Sequence, residues 1–359
     1  MRFSATVAAL AAVAPLVSAH GSVGMPKIAG LHQDVKAREI LGTLAARFRQ
    51  HEHGFEEHAL EARQSGNKEC GDGKGSCGPG ECCSRANFCG TTADYCYSPG
   101  CKYKDGPGCP ENNPPKGSST SNIPRTKYGK IAYGGTGIYH CVTPGTVALT
   151  YDDGPYKVLT DHILGLLKKY NAKATFFVTG NNINKGQIDT TPEYVASIKR
   201  MDAEGHQIAS HTWTHLDLSK ISSEDRKAQM YYVEMAIRNI IGKIPTYMRP
   251  PYSSCTGDCE KDMADLGYHV TYFNVDTDDY NQPKSIEKSQ DWFKGNITKN
   301  GNKKDDRWLT VNHDIVEGTA YKLTEFMLKT LGDAGYKAVT VGECLGDPKA
   351  YWYRNGDGS

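Results

Sequence analysis

The chain has 359 residues, a formal net charge of +1 and 23% charged residues, enough for one barrel-sized domain plus something smaller. So even a charge balance exerts no long-range pull on nucleic acid or acidic membranes, and both are set aside as partners. Tyr dominates the aromatic residues, 21 against 9 Phe and 4 Trp, which suits surfaces that stack on sugars.

Arg2, an apolar run from Val7 to Val17, and the small-residue site Val17-Ser18-Ala19 read as a signal peptide over 1–19. The mature chain is then secreted, extracellular or in a cell wall, and begins at His20. The apolar run is too short for a membrane helix, and no later stretch qualifies. Residues 20–69 are polar and helix-like, with a loose stripe of Leu31, Val35, Ile40, Leu44 and Phe48. They read as a spacer or pro-region, with His51, His53 and His58 leaving a weak metal-binding segment open. Residues 70–109 hold eight of the twelve cysteines and very few aliphatic side chains. Such a segment must be stapled by disulfides. Residues 110–130 include Pro110, Pro114, Pro115 and Gly117-Ser118-Ser119-Thr120-Ser121, the composition of an extended linker.

Over 131–350, short β-rich runs alternate with helical patterns. Strands are expected at 146–151, 173–178, 206–210, 246–249, 269–275, 308–312 and 337–341. Helices are expected between them, for example at 158–169, 192–204, 222–241 and 319–335. This alternation predicts a parallel α/β fold, a barrel. Residues 351–359 read as a polar tail. Asn296-Ile297-Thr298 is a glycosylation sequon.

Two signals carry chemistry. The first strand runs into Tyr151-Asp152-Asp153-Gly154, and a later one ends at His211-Thr212-Trp213-Thr214-His215. Adjacent carboxylates can divide metal binding from general-base work, and imidazoles four apart can converge on one cation. Each is weak alone, since Asp-Asp-Gly is a common turn. Their placement strengthens both. Asp152 and Asp153, His211, Arg249 to Tyr252, Asp276, and His313-Asp314 all fall where an expected strand ends. In a parallel barrel those ends share the active-site face. Asp153, His211 and His215 are the candidate metal ligands, an N2O set suited to Zn²⁺ or a neighbouring first-row ion. Asp152 is the candidate base, His313 the acid for an amine leaving group, Asp276 its orienting carboxylate, and Arg249 the cation beside Asp152.

On these motifs residues 141–350 resemble the polysaccharide deacetylases of carbohydrate esterase family 4, the NodB-homology domain, and within it the fungal chitin deacetylases. The matching segments are Thr150–Gly154, His211–His215, Arg249–Tyr252, Asp276–Tyr280 and Leu309–His313. The resemblance implies a distorted, incomplete (β/α) barrel and the same roles for these residues, with the Tyr252 N–H as oxyanion donor. Tyr280 and Val311 would wall the acetyl pocket; the family usually has Trp and Leu there. It implies Zn²⁺, with Co²⁺ or another divalent first-row metal open. The reaction would be release of acetate from N-acetylglucosamine in chitin or chitooligosaccharides by a monomer. Acetylxylan or peptidoglycan deacetylation, or chitin binding with weak activity, are the alternatives.

Residues 70–101 resemble the small disulfide-rich hevein-like chitin-binding modules, carbohydrate-binding module family 18, through Cys82-Cys83-Ser84, Phe88-Cys89-Gly90 and Asp94-Tyr95-Cys96. That implies bridges Cys70–Cys83, Cys77–Cys89, Cys82–Cys96 and Cys101–Cys109, and sugar contacts at Ser84, Phe88 and Tyr95. Ala86 stands where a further aromatic is usual. In the barrel, Cys141–Cys344 would tie the first strand to the last. Cys255–Cys259 would close a small loop beside Tyr252, a C-x3-C metal clip being the alternative.

Overall fold

A computed structural model describes residues 68–135, 137–299 and 306–358. The signal expected over 1–19 and nearly all of the spacer expected over 20–69 lie outside the described residues.

In the cysteine-rich segment β1 (Cys82–Cys83) pairs antiparallel with β2 (Cys89–Gly90). Sulfur fills the interior. Cys70–Cys83, Cys77–Cys89, Cys82–Cys96 and Cys101–Cys109 are bridged, the pairs that the resemblance implies. Ser84 and Phe88 lie inside as well, only 5% and 3% exposed. The Ser84 hydroxyl accepts the Phe88 N–H at 3.2 Å. Both are therefore corrected from sugar contacts to interior residues. A segment so short of apolar side chains buries those it has. Tyr95 is half-buried, its ring lying over Gly90.

The β-branched run after Gly145 forms two consecutive strands, β3 (Thr146–Ala148) and β4 (Thr150–Asp152). Then follow α1 (Lys157–Lys169), β5 (Thr175–Val178), α2 (Pro192–Ala203), β6 (Gln207–Ser210) and α3 (Ser223–Ile241). Ser222 caps α3 by accepting the Asp225 N–H at 3.1 Å, and Gly242 ends it in a left-handed conformation. The chain continues through β7 (Lys243–Pro245), β8 (Tyr247–Met248), α4 (Asp258–Asp265), β9 (His269–Val270), β10 (Val275–Asp276) and α5 (Ile286–Thr298). It closes with β11 (Trp308–Val311), α6 (Thr324–Ala334), β12 (Lys337–Val339), α7 (Val341–Cys344) and β13 (Tyr353–Asn355). Asn296 of the sequon sits near the end of α5, half-buried, its amide donating to the Trp292 carbonyl at 2.8 Å.

Two parallel sheets result, ordered β4-β5-β6-β8-β9 and β10-β11-β3-β12. Because β3 and β4 are pieces of one run, the sheets share it and curl into an incomplete barrel. A further parallel bridge, Asp152 to His313, carries the pairing to the mouth and sets those residues side by side. The single strand expected at 269–275 is broken into β9 and β10. In the gap the Thr271 and Tyr272 carbonyls accept from Arg249 instead of from a neighbouring strand. Cys141–Cys344 and Cys255–Cys259 are also bridged.

Two segments expected to be peripheral are packed. The tail supplies Trp352, 5% exposed, and β13, which pairs antiparallel with β7. The Pro- and Ser-rich stretch over 110–130 runs along α3 as a strap. Its Lys116 and Ser118 carbonyls accept from Asn239 and Arg238 at 3.0 and 2.6 Å. Composition alone suggests freedom, but each residue of the stretch keeps a backbone carbonyl that can accept, and here α3 supplies the donors. Arg125 pairs with Glu234 at 2.6 and 3.0 Å, and Glu234 also accepts the Tyr268 hydroxyl at 2.7 Å.

Glu234 is fully buried, and that strap supplies the Arg125 guanidinium paired with it. Arg125→Ala should cost about 3–5 kcal/mol by stranding the carboxylate. Thermal unfolding checks this: an unchanged Tm would show that the strap is not docked, and adding Glu234→Gln should restore part of the loss.

Candidate active site

The mouth of the barrel is organised by a buried cation. Arg249, 1% exposed, follows β8 and extends across the interior. One guanidinium nitrogen donates to the Asp152 carboxylate at 2.8 Å and to the Thr150 hydroxyl at 2.6 Å. Another donates to the Tyr272 carbonyl at 2.8 Å, and the plane lies 4.3 Å from the Phe177 ring centre. Burial pushes Asp152 up to about 6, against the pull of Arg249. The pair thus leaves a carboxylate ionised at neutral pH and basic enough to take a proton.

Asp153, next in sequence, behaves oppositely. Burial alone would raise it, but His215, His211 and other nearby charges hold it down at about 2. Its Oδ1 lies 3.3 Å from His215 Nε2 and 3.6 Å from His211 Nε2, and this buried oxygen has no hydrogen-bond partner. His211 Nδ1 is 2.7 Å from the Arg249 carbonyl, which can only accept, so the proton belongs on Nδ1 and the Nε2 lone pair faces Asp153. Burial, then the neighbouring imidazole, lowers His211 to about 3, which keeps that ring neutral. Electron-pair donors converging without a proton between them fit a cation. Among the described residues, this is the one cluster of three potential ligands that does not draw on disulfide-bonded cysteines.

The backbone is strained at the same place. Asp153, Thr212, His215, Tyr252 and Asp278 all have φ between 54° and 79°. None is glycine, and such conformations persist where surrounding packing imposes them. The turn at Tyr252 brings its ring 4.7 Å from that of His215. Tyr280 stands 5.1 Å edge-on to His313, and Val311 is buried at the end of β11.

The carboxylate on His313 is Asp279, not Asp276. Asp279 Oδ1 lies 2.8 Å from His313 Nδ1, while its Oδ2 accepts the His313 N–H at 2.7 Å and the Thr319 hydroxyl at 2.5 Å. Asp276 instead accepts the Asp278 N–H at 2.8 Å and the Tyr280 hydroxyl at 3.2 Å. The left-handed Asp278 and the short 3-10 turn after it swing Asp279 toward the imidazole, and Asp276 closes that turn. Burial pulls His313 down, but Asp279, with Asp153 and Asp152 behind it, raises it to about 9.

One participant carried no sequence signal, and another, Asp314, had only its place at an expected strand end. Lys185, in the loop after β5, donates to the Asp153 carbonyl at 2.7 Å, the Gly154 carbonyl at 2.9 Å and the Thr179 hydroxyl at 2.7 Å. It pins the ligand turn from behind. Asp314 accepts the Thr160 hydroxyl at 2.7 Å and lies where any side chain on Gly154 would collide with it.

Asp279→Asn tests the corrected pairing. Without that charge, burial should dominate and His313 should lose its proton at or below the usual imidazole range. An acid must be protonated, so the alkaline limb of kcat/KM should move toward acid by on the order of two pH units. Asp276→Asn should move it far less. The reverse order in pH–rate profiles would restore Asp276 to the role.

A polysaccharide deacetylase family profile matches residues 140–271. A chitin deacetylase from Colletotrichum lindemuthianum is 44% identical over 222 residues, which cover 61% of this chain and 87% of that protein. Another from Pestalotiopsis sp is 39% identical over 223 residues, 62% of this chain and 71% of that protein. The solved structure of the chitin deacetylase from the fungal pathogen Colletotrichum lindemuthianum aligns with a TM-score of 0.58 at 42% identity, covering 60% of this chain and 94% of that one. With the incomplete barrel and the residues gathered at its mouth, these likenesses place the chain in the polysaccharide deacetylase family.

Proposed function

We propose that the protein removes the N-acetyl group from N-acetylglucosamine residues of chitin or chitooligosaccharides, releasing acetate. The observation that carries this reading is the division of labour between Asp152 and Asp153. Adjacent in sequence, one is paired with Arg249 at 2.8 Å and the other faces two imidazole nitrogens with an unpartnered oxygen. The names of the fungal relatives support chitin as substrate.

Asp153, His211 and His215 would hold a divalent ion, Zn²⁺ first and Co²⁺ as an alternative. Such an ion supplies Lewis acidity toward water and carbonyl oxygen. The remaining work falls to the chain. Asp152 accepts a proton from the attacking water while Arg249 holds it in place. The Tyr252 N–H donates to the oxyanion that forms on the amide carbonyl. His313, carrying a proton below about pH 9, delivers it to the amine nitrogen as the C–N bond breaks. Asp279 keeps that imidazole oriented and charged. Tyr280 and Val311 enclose the acetyl methyl.

Six bridged cysteine pairs, with no free cysteine among the described residues, favour a secreted protein, glycosylated at Asn296. No helix among the described residues is long and apolar enough to cross a membrane. We take the working unit to be a monomer.

Acetate release from chitin oligomers tests the reading. Chelation should abolish it and added Zn²⁺ or Co²⁺ restore it. Asp152→Asn should lower kcat by on the order of 10³. Release from acetylxylan but from no chitin oligomer would overturn the substrate assignment, and near-normal activity of Asp152→Asn would overturn the base.

A further inference from the structure

The loop after β5 ties the candidate metal ligands to one another. Lys185 donates to the Asp153 and Gly154 carbonyls at 2.7 and 2.9 Å, and the Thr179 N–H also donates to the Gly154 carbonyl, at 3.2 Å. In the same loop the Gly180 and Asn181 N–H groups donate to the Thr212 and Trp213 carbonyls at 3.1 and 2.7 Å. One loop thus grips both the turn that carries Asp153 and the segment between His211 and His215.

The cysteine-rich module holds that loop from outside. The Ile183 N–H donates to the Ser98 carbonyl at 2.6 Å, and the Asn184 side-chain amide donates to the Ala93 carbonyl at 2.9 Å. Ala93 and Ser98 stand on either side of Cys96, which is bridged to Cys82. The Trp213 indole donates to the Pro110 carbonyl at 3.0 Å, directly after Cys109, which is bridged to Cys101. On a second side the Tyr103 hydroxyl donates to Asp225 at 3.0 Å.

The backbone is strained where the module grips it. Ile183 and Asn184 have φ of 47° and 56°. A left-handed conformation is costly for a β-branched side chain and persists where contacts impose it. Both strained residues are bonded to the module, and Lys185 is next in the chain. Without those bonds the loop can relax toward ordinary backbone and carry Lys185 away from Asp153.

We propose that the docked module is a positioning element for the metal site. By holding Ile183 and Asn184 it keeps Lys185 on the backbone of the Asp153 turn. This role rests on the reading of Asp153, His211 and His215 as metal ligands. Positioning and charge predict opposite signs. Groups that orient a ligand strengthen metal binding by about tenfold or more, whereas a lysine acting only through its charge would repel the ion.

Zn²⁺ affinity of the full chain, stripped of metal and titrated against a competing chelator, tests this. Asp153→Ala serves as the blank for zinc held elsewhere. Lys185→Met should weaken binding about tenfold, and Lys185→Arg, which retains charge and donors, should recover part of the loss. Asn184→Ala, which removes the Ala93 bond from an exposed position, should weaken binding about threefold. In the double variant the two losses should not add, because both act through Lys185. Thermal unfolding shows whether each variant is folded, and Asn184→Ala alone decides the matter if Lys185→Met does not fold. Parent-like affinity in Asn184→Ala, tighter binding in Lys185→Met, or losses that add in the double variant each overturn the proposal. A parent protein that binds no more Zn²⁺ than Asp153→Ala overturns the metal reading itself.

Discussion

A guanidinium buried in the barrel is the constraint on which the rest depends. Arg249 is held by the Asp152 carboxylate, the Thr150 hydroxyl, and the Thr271 and Tyr272 carbonyls. A buried charge of this kind is tolerated only when paired and hydrogen-bonded, and its partners come from β4, from β11 through the Thr310 carbonyl at 3.4 Å, and from the break between β9 and β10. Those strand ends are thereby held in one arrangement. The Arg249 carbonyl also sets the His211 tautomer, so one residue connects Asp152 to the cluster of Asp153, His211 and His215.

Charge placement at the mouth follows the same logic. Two neighbouring carboxylates are driven apart, Asp152 upward by burial and Asp153 downward by its imidazoles. On the far side Asp279 makes His313 a stronger base than a free imidazole, so it holds its proton at neutral pH. One aspartate ready to accept a proton and one histidine ready to give one are what amide hydrolysis requires, since the departing nitrogen is a poor leaving group until protonated. Lys185 shows how far the support extends, binding the ligand turn through backbone carbonyls and not through a carboxylate.

The cysteine-rich module belongs to this structure as much as to itself. It has little apolar interior beyond its disulfides, and its polar backbone atoms find partners on the barrel loops and the strap along α3. Ser84 and Phe88 are spent on its interior, which leaves surface contact to other side chains of the module.

Much of this was legible in the chain. Signals that are local survive without tertiary structure: β-branched runs ending in Asp152-Asp153, histidines four apart, Arg249-Pro250-Pro251-Tyr252, and the half-cystine spacings. Which carboxylate serves His313 was beyond the sequence, since Asp276 and Asp279 stand three apart in one turn and only its left-handed bend at Asp278 decides between them. Lys185 has no motif because two of its three partners are backbone carbonyls, which any sequence supplies. The strap, the tail and the docked module look peripheral by composition, yet their polar groups pair with donors and acceptors far away in the chain. Sequence by itself determined the strand–helix alternation and the chemistry-bearing strand ends, because these depend on neighbours along the chain, while the bridges of the cysteine-rich module rested on its resemblance to known modules. Tertiary structure alone decided the partner of His313, the support behind the Asp153 turn and the docking of the cysteine-rich module, because those depend on hydrogen bonds between residues 34, 32 and 122 apart in the chain.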